Sequence, residues 1–439
     1  MAKKEPTVLI VGAGTFGVST AYHLAQSYSE PSRVTIIDRE PSPPASAAAI
    51  DINRIIRADY PSTLYCNLAN EAIHTWFWSP ELGPCFHKVG WLMLNEQGSD
   101  LKTRIFETLK GRGTHIMQDV TLSNIASGER WSVLAGTRTA GFDEAYFNPD
   151  AGWVDAASAT RRYLETALKK GVRRLVGDVV ELLVNRETER VEGVRTANGQ
   201  RLMADKVVLA TGAWTSYLLS PIEDALGVMD EDRVERQAQA TAIVSAYYRM
   251  GEKEVEKMVG CEMPCVIYGK TGEVIPPWKD NGLLKYNNSA TKLINTITTA
   301  TGKKISVPPV GKDQRTIPQG LKRETEAILT SRLMPNFARG EPEYWRLCWD
   351  SYTPTEDLLL CHHPRIKGMY IITGGGFCGY KFMPNIGKYM LKVLGGESNG
   401  PEKDKAWGWK TKAELNSAKQ PVRTELHDFD IVAGAASRL

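Results

Sequence analysis

Short runs of apolar residues that end in glycine recur along this 439-residue chain, and each run predicts a buried strand followed by a tight turn. The first run covers residues 7–11 and leads into Gly12-Ala13-Gly14-Thr15-Phe16-Gly17. Small and apolar residues then recur at helical spacing from Gly17 to Tyr28, and a second apolar run, Val34–Asp38, ends in a carboxylate. The pattern therefore predicts a strand, a glycine turn, a helix and a second strand.

This order of elements is typical of a site that binds the pyrophosphate of a dinucleotide. Glycines allow the backbone to approach the phosphates closely, and the helix amino terminus offers unpaired N–H groups with a partial positive charge. The carboxylate of Asp38 follows the turn by a little over 20 residues, where an acid accepts hydrogen bonds from ribose hydroxyls. The residues leave both NAD and FAD open. We predict that the cofactor site contains Gly12, Gly14, Thr15, Phe16, Gly17, Asp38 and Arg39.

Two later apolar runs also end in small residues. Residues 205–211 lead to Gly212 and Trp214, and Met369–Thr373 leads into Gly374-Gly375-Gly376. Because three such strands are spread over the whole chain, we expect a dinucleotide-binding domain assembled from separate segments. Other predicted elements are helices over Ala156–Lys170 and Ile386–Leu394 and a hairpin through Asn198-Gly199.

Composition and charge narrow the class of protein. The chain is 42% hydrophobic and 24% charged, with a formal net charge of +3, which gives no electrostatic footprint for nucleic acid. No stretch reaches the roughly 18 apolar residues of a membrane span. The seven cysteines are scattered, which argues against a disulfide framework, and Cys261 and Cys265 have no second cluster at metal-ligand spacing. We therefore predict neither a nucleic-acid partner, nor a membrane segment, nor a metal site.

Several segments together resemble the sarcosine oxidase family of FAD-dependent amine oxidases, which includes pipecolate oxidases, saccharopine oxidases and the fructosyl amino acid oxidases, or amadoriases. The resemblance covers nearly the whole chain and implies FAD as the cofactor. The matching segments are GAGTFG at 12–17, RIIR at 54–57, FNPDAG at 147–152, ATGAW at 210–214, Cys348 to His363-Pro364, and Gly379-Tyr380-Lys381.

The resemblance implies a two-domain α/β flavoprotein. Residues 1–84, 150–225 and 345–439 would form a discontinuous, Rossmann-like FAD-binding domain. Residues 85–149 and 226–344 would form a substrate-binding domain with a large mixed or antiparallel sheet. Strands such as Val89–Leu94 and Ala240–Ser245 are expected in that sheet.

The resemblance also assigns residues to the flavin. Cys348 matches the thiol linked covalently to the flavin 8α-methyl carbon, and Arg54 matches an arginine that lies over the ring. Lys285 matches a lysine near flavin N5, where a cation stabilises superoxide as reduced flavin transfers an electron to oxygen. Without the resemblance, Cys348 would be predicted to be a buried apolar thiol and Lys285 a solvated lysine. The implied cofactor-binding set is completed by Gly212, Trp214, Gly376, Phe377, Gly379 and Lys381.

Arg57 and Lys381 match the cations that bind the substrate carboxylate, one as a bidentate fork and one as a point charge. Cys378 stands where the family commonly has a histidine near the substrate amine. Arg54 and Arg57 are three residues apart, so the alternative is a charged, exposed helix face beside Asp51 and Asp59. The RIIR segment favours the sarcosine, pipecolate and saccharopine branch over the amadoriases.

The reaction implied by the resemblance is oxidation of the Cα–N bond of a secondary, N-substituted amino acid, with hydride transfer to flavin and hydrolysis of the imine. Oxygen would then be reduced to hydrogen peroxide. Three alternatives remain: a fructosyl amino acid oxidase, a secondary-metabolite oxidase of N-methyl or cyclic amino acids, and a non-catalytic flavoprotein. The expected partners are the small amine substrate and oxygen, and a monomer is expected.

The tripeptide Ser437-Arg438-Leu439 is a variant of the carboxy-terminal address that a peroxisomal import receptor binds. An enzyme that produces hydrogen peroxide is consistent with that compartment. We therefore predict a peroxisomal location, and otherwise a cytoplasmic one.

Overall fold

The computed structural model describes residues 4–41, 44–329, 340–418 and 422–429. Strands and helices both contribute substantially, which confirms the predicted α/β class. Among the described residues, no helix is long and apolar enough to cross a membrane. The Ser437-Arg438-Leu439 tripeptide lies outside the described residues.

The elements of the described chain follow in sequence order. The strands are β1 (Val8–Val11), β2 (Val34–Asp38), β3 (Arg54–Ile56), β4 (Phe86–His87), β5 (Trp91–Glu96), β6 (Gln118–Val120), β7 (Phe142–Asn148), β8 (Gly152–Val154), β9 (Arg173–Val176), β10 (Val179–Asn185), β11 (Arg190–Thr196), β12 (Arg201–Met203), β13 (Lys206–Leu209), β14 (Gln239–Arg249), β15 (Cys265–Tyr268), β16 (Gly272–Ile275), β17 (Leu283–Ile294), β18 (Thr296–Thr298), β19 (Lys304–Ser306), β20 (Tyr344–Tyr352), β21 (Leu359–His362), β22 (Met369–Thr373) and β23 (Thr424–Glu425). The helices are α1 (Thr15–Ser27), α2 (Thr63–Trp78), α3 (Leu101–Gly111), α4 (Leu122–Ser127), α5 (Ala156–Lys169), α6 (Thr215–Ala225), α7 (Val234–Gln237), α8 (Glu252–Gly260), α9 (Gln319–Ile328), α10 (Ile386–Gly395), α11 (Pro401–Trp407) and α12 (Lys412–Ser417).

A six-stranded sheet in the order β21-β22-β13-β1-β2-β9 contains the three glycine-ended strands of the sequence. β22, β13, β1, β2 and β9 are parallel, and only β21 pairs antiparallel. Parallel strands buried on both faces are continuous apolar runs, as β1 is. Val8 and Ile10 pack into one core cluster, while Leu9 and Val11 pack into another on the opposite face.

Helices and a small sheet cover the two faces of this six-stranded sheet. α1 lies between α5 and α10, and Gly387 of α10 makes the approach to α1 close, because a Cβ there would overlap the Ser19 carbonyl. The antiparallel sheet β10-β11-β12 contributes Val191 and Val194 to the core of the other face. The predicted hairpin at Asn198-Gly199 connects β11 and β12 of this sheet.

A nine-stranded sheet follows the order β20-β14-β17-β16-β15-β5-β7-β6, with β23 paired to β17. Most of its pairs are antiparallel, whereas β15 with β5 and β17 with β23 are parallel. The expected strands Val89–Leu94 and Ala240–Ser245 correspond to β5 and β14. The division into two domains at residues 85, 150, 226 and 345 stays a prediction.

The segment of the two arginines is a strand and not a helix. β3 carries Arg54 and pairs antiparallel with β8 in a third sheet, β3-β8-β4. Both arginine side chains are largely buried, at 14% exposure for Arg54 and 18% for Arg57. The alternative of an exposed, charged helix face is therefore wrong. Antiparallel pairing with β8 holds β3 in an extended conformation.

Candidate active site

The glycine turn between β1 and α1 is shaped by contacts that exclude a side chain. Gly12 has φ +105°, a left-handed conformation that L side chains rarely adopt, and a Cβ there would overlap the Ala210 carbonyl. Gly17 lies inside α1, where a Cβ would overlap the carbonyl of Gly12. A Cβ on Gly14 would meet only the Ala49 Cβ, at an ordinary contact distance of 3.9 Å, and Gly14 caps α1 without a side-chain hydrogen bond. The amino terminus of α1 is thus free to donate to an anion.

Asp38 lies at the end of β2, next to this turn. Its Oδ2 accepts a hydrogen bond from the Ala13 N–H at 2.7 Å. Burial raises the pKa of this carboxyl, and the N–H groups of Ala13 and Glu40 partly oppose the rise. The Arg39 guanidinium stacks over the Trp214 ring at 4.3 Å. The predicted ribose-binding acid therefore adjoins the predicted pyrophosphate turn.

An open cleft runs from the glycine turn to the nine-stranded sheet. Its wall joins residues that are distant in sequence, which is the arrangement that an elongated dinucleotide requires. The residues present fit FAD in three respects: the uncapped α1 terminus, the Asp38 carboxylate and a thiol at the far end. Predicted site residues that line the cleft are Gly12, Gly14, Thr15, Phe16, Asp38, Arg39, Arg54, Gly212, Trp214, Cys348, Phe377 and Gly379.

One face of the nine-stranded sheet forms the far wall of the cleft. Cys348 pairs with Ile243, and Lys285 pairs with Tyr247, so side chains of three neighbouring strands lie on the same face. Alternate residues such as Val244 point to the opposite face and pack into an apolar core. Because side chains alternate between the two faces along each strand, Cys348 and Lys285 lie on the same face of the sheet, although they are distant in sequence.

A buried cluster that we call the Arg54 centre comprises Asp51, Arg54, Tyr247, Lys285 and Cys348. The Nζ of Lys285 donates to Asp51 Oδ2 at 2.7 Å, and the Arg54 guanidinium donates to the same oxygen. The Tyr247 hydroxyl donates to Asp51 Oδ1 at 2.8 Å. The second Arg54 nitrogen lies 3.4 Å from the Cys348 sulfur. The Arg54 guanidinium thus lies beside the thiol at the cleft wall, and Asp51 connects it to Lys285.

The charges of the Arg54 centre depend on one another. Burial opposes ionisation of Asp51, but the charges of Lys285, Arg54 and Arg346 outweigh it and hold the pKa of this carboxyl well below its usual range. Burial lowers the pKa of Lys285, and the Asp51 carboxylate partly opposes that effect. The centre therefore combines a permanent anion with a lysine whose ammonium is destabilised by burial.

A second cluster, the Arg57 centre, comprises Arg57, Asp59, Tyr60, Trp91 and Lys381. The Arg57 guanidinium lies over the Tyr60 ring at 4.3 Å and over the Trp91 ring at 5.2 Å. The Nζ of Lys381 lies 5.3 Å from the same Tyr60 ring. The two predicted carboxylate-binding cations therefore meet at one aromatic side chain.

Asp59 holds Arg57 in this position. Its Oδ1 lies 3.7 Å from the guanidinium, whose NH1 also donates to the Asp59 carbonyl. Asn148 donates to Asp59 Oδ1 at 2.9 Å, and the Tyr146 hydroxyl donates to Oδ2. The guanidinium is thus anchored by Asp59 and flanked by two aromatic rings.

Lys381 lies in the single helical turn Gly379–Phe382 that follows β22. Its Nζ donates to the Cys378 carbonyl at 3.0 Å. A Cβ on Gly379 would come within 2.8 Å of the Phe16 ring, so this turn packs directly on the amino-terminal glycine turn. Cys378 is exposed, and all seven cysteines are free thiols.

Comparison with known proteins agrees with this geometry. The profile of the FAD dependent oxidoreductase (DAO) family matches residues 7–392. The chain belongs to this family. The resemblance inferred from the sequence is thereby confirmed, and the protein is an FAD-dependent oxidoreductase.

Relatives of this oxidoreductase match along nearly its whole length. It is 24% identical to an L-saccharopine oxidase of Schizosaccharomyces pombe, over 96% of this chain and 97% of that protein. It is 25% identical to a monomeric sarcosine oxidase of a Bacillus species, over 88% and 92% of the two chains. A solved fructosyl peptide oxidase from E. terrenum superposes with a TM-score of 0.82 and 26% identity, over 98% of each chain.

The oxidoreductase also contains site residues that the sequence did not reveal. Asp51 and Asp59 bind the two arginines, and Tyr247 completes the Arg54 centre. Asp350, two residues after Cys348, lines the cleft and accepts the Phe377 N–H at 2.8 Å. Burial raises the pKa of the Asp350 carboxyl. The sequence signal for each aspartate is its position within three residues of a predicted site residue. A carboxylate near an arginine is also typical of an exposed surface, so this spacing alone does not identify a buried site.

Among the described residues, no group of three or more histidine, cysteine, aspartate or glutamate side chains lies close enough to hold a metal ion. Cys265 is buried in β15, and burial raises the pKa of its thiol well above the usual value.

Proposed function

We propose that the protein is an FAD-dependent oxidase of N-substituted amino acids that releases hydrogen peroxide. The observation that carries the proposal is the convergence of Arg57 and Lys381 on the Tyr60 ring. Two cations at a largely buried aromatic site bind a carboxylate strongly, because little water competes for either partner. An amino-acid carboxylate held there is fixed relative to the rest of the site.

When bound, FAD supplies the redox chemistry, accepting a hydride from the substrate and returning electrons to oxygen. The uncapped terminus of α1 would hold the pyrophosphate, and Asp38 would accept from the ribose. Arg57 and Lys381 orient one C–H bond of the substrate and restrict its motion. The aromatic rings of Tyr60 and Trp91 flank the Arg57 guanidinium.

Lys285 supports oxidase rather than dehydrogenase activity. Its ammonium is buried and shares the Asp51 carboxylate with Arg54, which lines the cleft. A fixed positive charge stabilises the anion formed when oxygen accepts an electron. A solvated lysine would not have this effect, since water would screen its charge. The 1% exposure of the Lys285 side chain favours the catalytic role over the solvated alternative.

Cys348 is the proposed point of covalent attachment. The thiol is buried in β20, lines the cleft and has the Arg54 guanidinium 3.4 Å away. Attachment would prevent loss of the cofactor.

The proposal leaves the substituent on the substrate nitrogen open. The relatives are described as oxidases of saccharopine and of sarcosine, which are both N-substituted amino acids. The fructosyl peptide oxidase structure supports a second candidate, the removal of a fructosyl group. Oxidation of N-methyl or cyclic amino acids in a secondary-metabolite pathway is a third.

The protein is proposed to act as a monomer on a small amine and oxygen, as the name of the sarcosine oxidase relative suggests. Peroxisomal import through Ser437-Arg438-Leu439 stays a prediction from the sequence. It is consistent with the release of peroxide.

A peroxide-coupled screen tests the function. Purified, flavin-loaded protein is mixed with sarcosine, pipecolate, saccharopine, N-methyl amino acids and fructosyl amino acids, and oxygen uptake is recorded in parallel. The proposal predicts peroxide in equal amount to the oxygen consumed with at least one of them. A flavin-loaded protein that consumes no oxygen with any N-substituted amino acid would support the non-catalytic alternative.

A further inference from the structure

Asp51 is the hub of the Arg54 centre. Its Oδ2 accepts hydrogen bonds from the Lys285 ammonium, at 2.7 Å, and from the Arg54 guanidinium. Its Oδ1 accepts from the Tyr247 hydroxyl at 2.8 Å and from the Ile52 N–H at 2.7 Å. Each carboxylate oxygen of Asp51 therefore accepts hydrogen bonds from two protein groups.

Burying an ammonium without a counter-charge is unfavourable, so the group either loses its proton or moves into contact with water. The Nζ of Lys285 has the Asn53 carbonyl as a second acceptor, but at 3.4 Å and without a formal charge. Asp51 lies on the segment before β3, whereas Lys285 lies on β17, 234 residues away. The carboxylate thus connects the glycine-turn side of the cleft to the sheet that carries Lys285.

We propose that Asp51 is a positioning residue for the oxygen reaction: its carboxylate fixes the Lys285 ammonium and the Arg54 guanidinium beside Cys348. The inference rests on the proposed role of Lys285 in that reaction. Asp51 acts through the two cations and is not itself placed against oxygen or substrate. Its removal should therefore affect the oxidative half-reaction more than the reductive one.

The charge environment of Lys285 gives this inference a pH signature. The titratable or charged groups that face it are Asp51, Arg54, Cys348, Tyr247 and Cys265. Of these, the Asp51 carboxylate favours the ammonium, whereas Arg54 and burial disfavour it. Without the carboxylate charge, the pKa of Lys285 falls further. The ammonium is then lost at a lower pH than in the unaltered protein.

The test is Asp51→Asn, which keeps the shape of the side chain and removes its charge. Stopped-flow mixing of reduced enzyme with oxygen should show reoxidation slowed by about tenfold or more. The loss should grow as the pH rises, because less Lys285 is protonated. Anaerobic reduction by substrate should change by less than about threefold. A reoxidation rate and pH profile equal to those of the unaltered enzyme would overturn the inference.

Two further variants separate this inference from the proposed function. Lys285→Met tests the lysine itself: if reoxidation is unaffected, the proposed oxygen role fails, whatever Asp51→Asn does. If Lys285→Met slows reoxidation and Asp51→Asn does not, only the inference about Asp51 fails. Asp59→Asn is the matched control, because it removes the same charge from the Arg57 centre and should weaken substrate reduction instead.

A readout that does not depend on turnover is the thermal stability of the purified protein. The thermal unfolding midpoints of Asp51→Asn, Lys285→Met and the double variant form a cycle that measures the coupling of the two residues. The inference predicts that the double variant is more stable than the sum of the single losses indicates. Additive losses would contradict the pairing. If Asp51→Asn does not fold, Tyr247→Phe removes one hydrogen bond to Asp51 and should give a smaller change in the same pH profile, whereas an unchanged profile would overturn the inference.

Discussion

The Arg54 centre and the Arg57 centre each contain an arginine and an aspartate, which are three positions apart in the first centre and two in the second. In the first, the aspartate also binds a lysine, and the arginine lies beside a thiol. In the second, the aspartate is bound by Asn148 and Tyr146, and the arginine faces aromatic rings. The partners of each ion pair therefore distinguish the two centres, and we propose that the first acts on the cofactor and the second binds a ligand anion.

The largest expected effect concerns Cys348. Cys348→Ala should abolish covalent retention, so that acid precipitation releases all of the flavin, whereas the unaltered protein should keep it in the precipitate. Absorbance of the supernatant measures this directly. Cys378→Ala is the control, since that thiol is exposed and belongs to the Arg57 side. Flavin that washes out of the unaltered protein would refute the linkage.

Lys285→Met should slow flavin reoxidation by oxygen by about 10² to 10³, because a preorganised charge beside the reacting anion is lost. Anaerobic reduction by substrate should be nearly unchanged. Rapid mixing with measurement of flavin absorbance resolves the two half-reactions. Equal losses in both would remove the functional distinction between the centres.

Arg57→Ala should lower kcat/KM by about 30-fold or more, since truncating one partner of a buried charge pair costs roughly 2–5 kcal/mol. Most of the effect should be a raised KM for substrates with a carboxylate. Reoxidation by oxygen should be unaffected. A decarboxylated amine that reacts as well as its parent acid in the unaltered enzyme would show that the Arg57 centre does not bind a carboxylate.

Lys381→Met should have the smallest of these effects, about tenfold in KM, because an ammonium contributes a point charge without the bidentate geometry of arginine. Lys381→Arg should restore part of the loss. The ratio of the KM values of Lys381→Met and Lys381→Arg, measured at low and at high salt, tests whether the loss is one of charge or of packing. A KM unaffected by Lys381→Met would restrict the clamp to Arg57.

The first half of the candidate cofactor site could be predicted from local sequence alone. The glycine turn, Asp38 and the strand before Gly212 are each contained in a short segment, and strand and helix periodicity fixes their order. Lys285 and Cys348 required the family resemblance, because no local pattern distinguishes a buried catalytic lysine from a solvated one. The predicted roles of these residues await experiment.

The partners of the charged residues could not be predicted in this way. Asp51 and Lys285 meet across 234 positions, and their contact depends on the pairing of β14 with β17 and on the path of the chain before β3. The spacing of Arg54 and Arg57 indicated a helix, whereas β3 owes its extended form to β8, about 100 residues away in sequence. Long-range pairing, rather than local propensity, decided both cases.

The most direct test of the account is to measure both half-reactions in Lys285→Met and Arg57→Ala under the same conditions. The account predicts a crossed result: Lys285→Met reduces normally and reoxidises slowly, while Arg57→Ala reduces slowly at low substrate concentration and reoxidises normally. If both variants lose the same half-reaction, or each loses both equally, the division of the site into an oxygen centre and a substrate centre is wrong.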